Sequence, residues 1–426
     1  MTQIRAASRY DIADHPLAKE HMGSQFKPVE GAVTAPRGFR AAGVAAGLKP
    51  SGAPDLALIV SECDAVGAGV FTTNQLKAAC VTYNQGILSR QQPVRAILCN
   101  AGQANACTGE EGERNNAQLA LWVGEQLGIP AHQVLIASTG VIGRQLEMPK
   151  IHAALPGLVD SLSPEGGESA ARAIITTDLV TKSVALQAEI DGYTVRVGGI
   201  AKGSGMIHPN LATMLAFLTC DAAVDPRLWQ QILKQAADLS FNQITVDGDT
   251  STNDMLLALA NGQSGIPPLQ AGTEAAQTLA EMVNQVCIHL AKAIARDGEG
   301  ATKLLEIRVC GAVDDAAARR IARVIASSPL VKAAAFGNDP NWGRVAAAAG
   351  RAGIPFDSCR LDIRLGDFLL MQAGMPLAFD RKAASEYLKG DPVTFTVDLH
   401  QGSGQGLAWG CDLSYDYVRI NAEYTT

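Results

Sequence analysis

Apolar runs and amphipathic stretches alternate along the whole 426-residue chain. Short runs rich in Val, Ile, Leu and Ala predict strands at Asp55–Glu62, Val94–Asn100, Gln133–Ala137 and Tyr193–Gly198. Leu119, Trp122, Val123 and Leu127 share one face of a predicted helix over Asn116–Leu127. The second half continues with a strand from Thr213 and a helix from Pro226 to Leu239, opened by proline in its first turn. A strand at Gln243–Asp247, the polar loop GDTSTND and a helix at Met255–Ala260 come next. The longest amphipathic stretch, Glu274–Arg296, gathers Leu279, Met282, Val283, Val286, Leu290 and Ile294 as a core-facing stripe. Strands at Lys303–Val309 and Ala333–Phe336 alternate with helices at Ala316–Ser327 and Val345–Arg351. The C-terminal third reads mostly as strands, the last of them running to the chain end in INAEYTT.

Composition bounds this picture. With 47% apolar and 5% aromatic residues, the chain can build the core of one large domain or of two intimately packed ones. No Pro/Ser linker, low-complexity segment or internal repeat divides it. A net charge of −7, spread without runs, argues against a nucleic-acid or anionic-membrane partner. No run reaches the roughly 18 apolar residues of a membrane span. The N-terminus mixes Arg5 and Arg9 with Asp11 and Asp14 and lacks an apolar stretch, so no secretory signal is read there. Nine cysteines without a CxxC pair read as buried, reduced thiols, and the expected location is the cytoplasm. Seven scattered histidines, with no HExxH, give no metal site.

The chemistry concentrates in Lys202–Ala222, KGSGMIHPNLATMLAFLTCDA. Its first part is glycine-rich and loop-like; from Thr213 it becomes an apolar run, as in a buried strand. By itself a threonine opening such a strand reads as an ordinary β-former. Where loop meets strand, however, the Ala212–Thr213 bond is accessible while the threonine hydroxyl is held. Cleavage there would give Thr213 a free α-amine, of reference pKa about 7.7–8.0, able to take the proton of its own hydroxyl and activate it as a nucleophile. A second segment, STGVIG at Ser138–Gly143, follows a predicted strand. Glycine leaves its backbone N–H unshielded, and such a donor beside a threonine hydroxyl can form an oxyanion hole. Taken alone, STGVIG is equally a strand-to-loop turn.

KGSGMI, PN and ATML together resemble the KGxGMIxPNMATML signature of the ornithine acetyltransferases (glutamate N-acetyltransferases) of arginine biosynthesis, with Leu211 where the family has methionine. The resemblance runs from about residue 30 to the chain end. It implies an α/β fold, a layered sandwich of central β-sheets covered by helices, shared with self-processing aminopeptidases. It implies self-cleavage into an α chain, 1–212, and a β chain, 213–426, that stay packed as one unit. Thr213 is the implied nucleophile, with Thr139 and Gly140 as the oxyanion hole. Thr176 of IITTD, Lys202, Thr213, Glu299 of DGEG, Asn421 and Thr426 are the implied substrate-binding residues. His208 falls at a position that varies in the family, which argues against a catalytic role. FTTNQLKAA (Phe71–Ala79) and CNAGQANACTG (Cys99–Gly109) also match, and read as pocket-supporting.

The implied reaction moves acetyl from N-acetylornithine to glutamate through an acetyl-threonine, without a cofactor or nucleic-acid or membrane partner, in an α2β2 heterotetramer. No CoA-binding motif is visible, and bifunctional members lack an obvious one too, so use of acetyl-CoA as a co-substrate stays open. The alternative is a related self-processing N-terminal-nucleophile aminopeptidase or amidase, separated from the first reading by acetyl transfer to glutamate over water. An uncleaved structural or binding protein is the third reading, and it requires an intact junction.

Overall fold

The computed structural model describes residues 25–208 and 214–423. Thr213 and Thr426, named above, lie outside the described residues, as do the Ala212–Thr213 junction and the last residues of the chain.

Two sheets organise the described residues. The larger has nine strands. Across it, in spatial order, run Lys182–Ile190, Tyr193–Lys202, Leu215–Cys220, Met255–Ala260, Leu56–Phe71, Val94–Gln103 and Val134–Val141, with Lys27–Pro28 at one edge and Phe39–Val44 paired to Leu56–Phe71. Strands from both halves of the sequence interleave here. Leu215–Cys220 lies antiparallel to Tyr193–Lys202 and parallel to Met255–Ala260, which in turn pairs antiparallel with Leu56–Phe71. The second sheet has seven strands, centred on Leu304–Ala312 between Val393–Asp398 and Gly404–Cys411. Helices cover both sheets, and Glu274–Arg296 packs against each of them, so its apolar stripe is buried from both sides.

The helix Pro226–Leu239 has the predicted bounds, and its Asp225 cap accepts hydrogen bonds from the N–H groups of Arg227 and Leu228. Three expectations are corrected. Met255–Ala260 is a strand, not a helix, with every residue buried and both edges paired. MLLALA is a short apolar run that fits either a buried strand or a buried helix, and the two waiting neighbours decide. Pro329–Phe336 is a helix where a strand was expected, because Pro329 opens it and its alanines favour it. The C-terminal segment Tyr415–Glu423 is a helix with no buried residue, not a strand.

Candidate active site

The strand Val134–Val141 lies parallel to Val94–Gln103, with Ala101 opposite Thr139 and Gly102 opposite Gly140. Gly140 adopts φ +123, and a Cβ there would stand 2.4 Å from the Gly102 carbonyl carbon, so no other residue fits without shifting a backbone. This close pairing presents Thr139 and Gly140 at one end of the sheet. At the same end Tyr193–Lys202 finishes on Lys202, opposite Leu215, two residues beyond Thr213. The Lys202 ammonium donates to Thr139 Oγ1 at 3.4 Å, and both side chains are buried.

A cavity of about 230 Å³ opens over this group, and its lining includes Thr139, Gly140, Thr176, Lys202, Glu299 and Asn421. All six described residues that the sequence nominated therefore meet in one place, although they are separated by up to 282 positions (421 − 139). The volume is below the ~300–1,000 Å³ of sites for drug-sized ligands and suits an amino acid. Asn421 Nδ2 donates to Glu299 Oε2 at 2.8 Å, which ties the C-terminal helix to the DGEG loop. Gly205 lies beneath that carboxylate: a Cβ there would come within 2.4–2.6 Å of the three Glu299 carboxyl atoms.

The cavity also takes in residues the sequence reading passed over. Asp247, Asp249 and Tyr417 stand on the Glu299 side. Asp247 accepts the N–H groups of Met206 and Ile207 at 2.6 and 3.0 Å, fixing the KGSGMI loop. Burial raises the Asp247 carboxyl above its usual range, and burial followed by Asp247, Glu299 and Asp249 pushes the Tyr417 hydroxyl up. Ser251, Thr252 and Asn253 line the back. Asn253 Nδ2 donates to the carbonyls of Ala104 and Ser138 at 2.6 and 2.8 Å, clamping this loop against the strand Val134–Val141. The FTTNQLKAA segment holds it from the other side, through Thr72 Oγ1 to the Ser251 carbonyl at 2.8 Å and Asn74 Nδ2 to the Thr250 carbonyl at 2.9 Å. The available signal was GDTSTND, a polar run between two apolar ones. Such runs are normally solvated loops, and sequence alone does not show that Ser251–Asp254 is buried.

Beyond this loop, Asp254 is fully buried, and its Oδ2 has no hydrogen-bond partner among the described residues. Burial pushes its carboxyl well above the usual range, against the pull of Met214 N–H and Lys202. His208 does not line the cavity; its ring Nδ1 lies 3.2 Å from Thr245 Oγ1.

A pocket that pairs a hydroxyl and a glycine N–H with a lysine and a carboxylate is suited to acyl transfer on an amino acid. Known proteins make the class specific: an acetyltransferase of arginine biosynthesis. A family model described as the ArgJ family matches residues 40–426, and the chain belongs to that family. The arginine biosynthesis bifunctional protein ArgJ of Synechococcus sp. is 59% identical over 414 residues, covering 95% of this chain and 100% of its own. Its namesake in Symbiobacterium thermophilum is 52% identical over 398 residues, covering 93% and 99%. Among solved structures, the ornithine acetyltransferase of Mycobacterium tuberculosis complexed with ornithine is 44% identical, with a TM-score of 0.41, over 45% of this chain and 100% of that one.

Proposed function

We propose that this chain transfers the acetyl group of N2-acetyl-L-ornithine to L-glutamate through an acetylated Thr213, after cleaving itself between Ala212 and Thr213. The observation that carries this reading is the meeting of Thr139, Gly140, Thr176, Lys202, Glu299 and Asn421 around one cavity, at the strand end where Lys202 lies opposite Leu215. The freed Thr213 amine takes the hydroxyl proton as Oγ attacks the acetyl carbonyl. The oxyanion of the tetrahedral intermediate rests on the Thr139 hydroxyl and the Gly140 N–H. Ornithine leaves with a proton, and the glutamate amine attacks the acetyl-threonine in the same geometry.

Both amino acids carry an α-carboxylate, for which buried Lys202 is the partner. Glu299, oriented by Asn421, serves the amine or its proton. Thr176 borders the acetyl donor, and Thr426 contributes to substrate binding. The fragments 1–212 and 213–426 stay together because their strands interleave in the nine-stranded sheet. We assign the enzyme to the cytoplasm as an α2β2 assembly. The ArgJ relatives are named bifunctional, which supports acetyl-CoA as a second acetyl donor that acetylates glutamate anew.

The test is intact mass under denaturing conditions with N-terminal sequencing of each fragment, followed by kinetics with acetylornithine and glutamate. Two chains, the second starting TMLAFLTCDA, with ping-pong kinetics and a trappable acetyl on the second, are expected. Thr213→Ala should leave one uncleaved chain without transfer activity. A folded, uncleaved wild-type chain, or acetyl released to water and not to glutamate, would refute the reading.

A further inference from the structure

Directly below the pocket, Lys182 is buried without any exposed surface between two carboxylates, Asp178 and Asp297, at 2.6 Å from each. Neither the sequence reading nor the cavity lining includes this triad. Burial alone would strip Lys182 of its proton, but the two carboxylates outweigh it and hold the ammonium charged. Asp178 is likewise held far below the usual carboxylate range against its burial, by Lys182 first and then by Lys202.

Both aspartates of the triad also hold the backbone or side chains of segments that carry pocket residues. Asp178 accepts the N–H of Thr176 at 3.0 Å and that of Gly203, next to Lys202, at 2.6 Å. Asp297 accepts the N–H of Leu179 at 3.1 Å, and its carbonyl accepts the Ser204 hydroxyl at 2.6 Å. The Ser204 carbonyl in turn accepts the N–H of Glu299 at 3.0 Å. Thr176, Lys202 and Glu299 thus hang from three loops joined at one buried cation.

Charge gives the arrangement its consequence. Two carboxylates, Asp178 and Asp297, stand against two ammoniums, Lys182 and Lys202, and only Lys202 reaches the cavity. With Lys182 in place, Asp178 has a partner of its own. Without it, Asp178 and Asp297 would be two uncompensated buried charges, and Lys202 would be drawn back toward them, away from Thr139 and from the substrate.

We propose that Lys182 is a positioning residue for the acetyl transfer: by pairing with both Asp178 and Asp297 it leaves the Lys202 ammonium facing the substrate and locks Thr176, Lys202 and Glu299 into one geometry. This rests on the reading above, in which Lys202 binds the α-carboxylate of both amino acids.

The test compares wild type, Lys182→Met and the double variant Lys182→Met/Asp178→Asn by steady-state kinetics with acetylornithine and glutamate. Folding is monitored by circular dichroism and processing by mass. For Lys182→Met we expect KM to rise for both substrates and kcat/KM to fall about 10²-fold, the cost of a small displacement of binding groups. The second substitution removes one of the two orphaned charges, the one that grips Gly203 beside Lys202, so the double variant should recover about tenfold of that loss, with KM returning toward wild type for both substrates. A packing role predicts the opposite, namely a lower fraction of active enzyme at unchanged KM and a double variant worse than the single. Lys182→Gln, whose amide can still donate to one carboxylate, replaces the methionine variant if that does not fold, with the same rise and recovery expected. An active wild type with unchanged KM in the single variant, or no recovery in the double, overturns the positioning role alone. A folded wild type that moves no acetyl overturns the functional reading and this proposal with it.

Discussion

The two walls of the pocket are built in opposite ways. The wall proposed to hold the oxyanion is a ladder: Thr139 and Gly140 lie on one strand, opposite Ala101 and Gly102 of its parallel neighbour, and Asn253 braces them from behind. The facing wall is assembled from ends: the KGSGMI loop, the DGEG loop and a C-terminal helix that buries none of its residues. Its cohesion comes from single contacts such as Asn421 to Glu299 at 2.8 Å and Ser414 Oγ to the Gly300 carbonyl at 2.6 Å. One wall is fixed by paired strands, the other by loop-to-loop polar contacts, several of them made to the buried Asp178–Lys182–Asp297 cluster. The difference suits a transfer reaction. Charge develops at the same carbonyl in both half-reactions, so its donors must be rigid. The wall that meets two differently shaped amino acids is held at its base by that cluster, and its outer part, the C-terminal helix, is the less constrained.

Two glycine substitutions separate the walls. Gly140→Ala is the more severe, because the new Cβ meets backbone on the partner strand at 2.4–2.8 Å and φ +123 disfavours any side chain. The strand must move, and with it the oxyanion donor, so kcat should fall about 10²–10³-fold together with a lower melting temperature. Gly205→Ala meets only the far end of Glu299, at 2.4–2.6 Å, which can rotate away. We expect about a tenfold fall in kcat/KM from the lost Glu299–Asn421 geometry, with melting unchanged within error. Steady-state kinetics and a thermal melt on both variants check the contrast. If Gly205→Ala lost as much stability as Gly140→Ala, the end-built wall would be as integral to the fold as the ladder.

What the sequence disclosed follows the same division. The strands below the ladder wall were readable because long buried runs such as VRAILCN leave one interpretation, and Thr139 and Gly140 of STGVIG lie at the end of one of them. Glu299 and Asn421 came from family resemblance, since neither a lone glutamate between glycines nor an exposed asparagine carries a local signal. The C-terminal helix was misread for the same reason: with no buried face it has no periodicity to show. Lys182, Asp178 and Asp254 were invisible as a group. Burial of a charge is decided by what packs around it, and KS, TD and ND are common surface pairs in any chain.

Behind the two walls, Asp178 and Asp254 set a final contrast, since both are buried carboxyls that feel the Lys202 charge. Asp178 has an ammonium at 2.6 Å and is held below its ordinary range; Asp254 has an oxygen with no partner among the described residues and is held well above it. The signs of their linkage to folding are therefore opposite. In the unfolded chain both titrate near pH about 3.9. Folded Asp178 releases its proton more readily than that, so its contribution is fully present above pH about 4 and is lost on acidification below it. Folded Asp254 keeps its proton while the unfolded chain gives it up, so its cost is absent below pH about 4 and grows as the pH rises toward neutrality. Asp254→Asn keeps the shape and removes the titration. Relative to wild type its melting temperature should be unchanged at pH about 3 and should rise progressively from pH about 4 upward. Asp178→Asn serves as the mirror, lowering melting at neutral pH and losing that effect in acid. For Asp254→Asn the other raised carboxyls, Asp221, Asp247 and Asp297, are common to wild type and variant; for Asp178→Asn the difference also carries Asp297, whose carboxyl is raised by burial first and in part by the Asp178 charge. A gain for Asp254→Asn that did not vary with pH would assign the effect to packing; a loss at neutral pH would mean that Asp254 is ionised and paired within the folded protein.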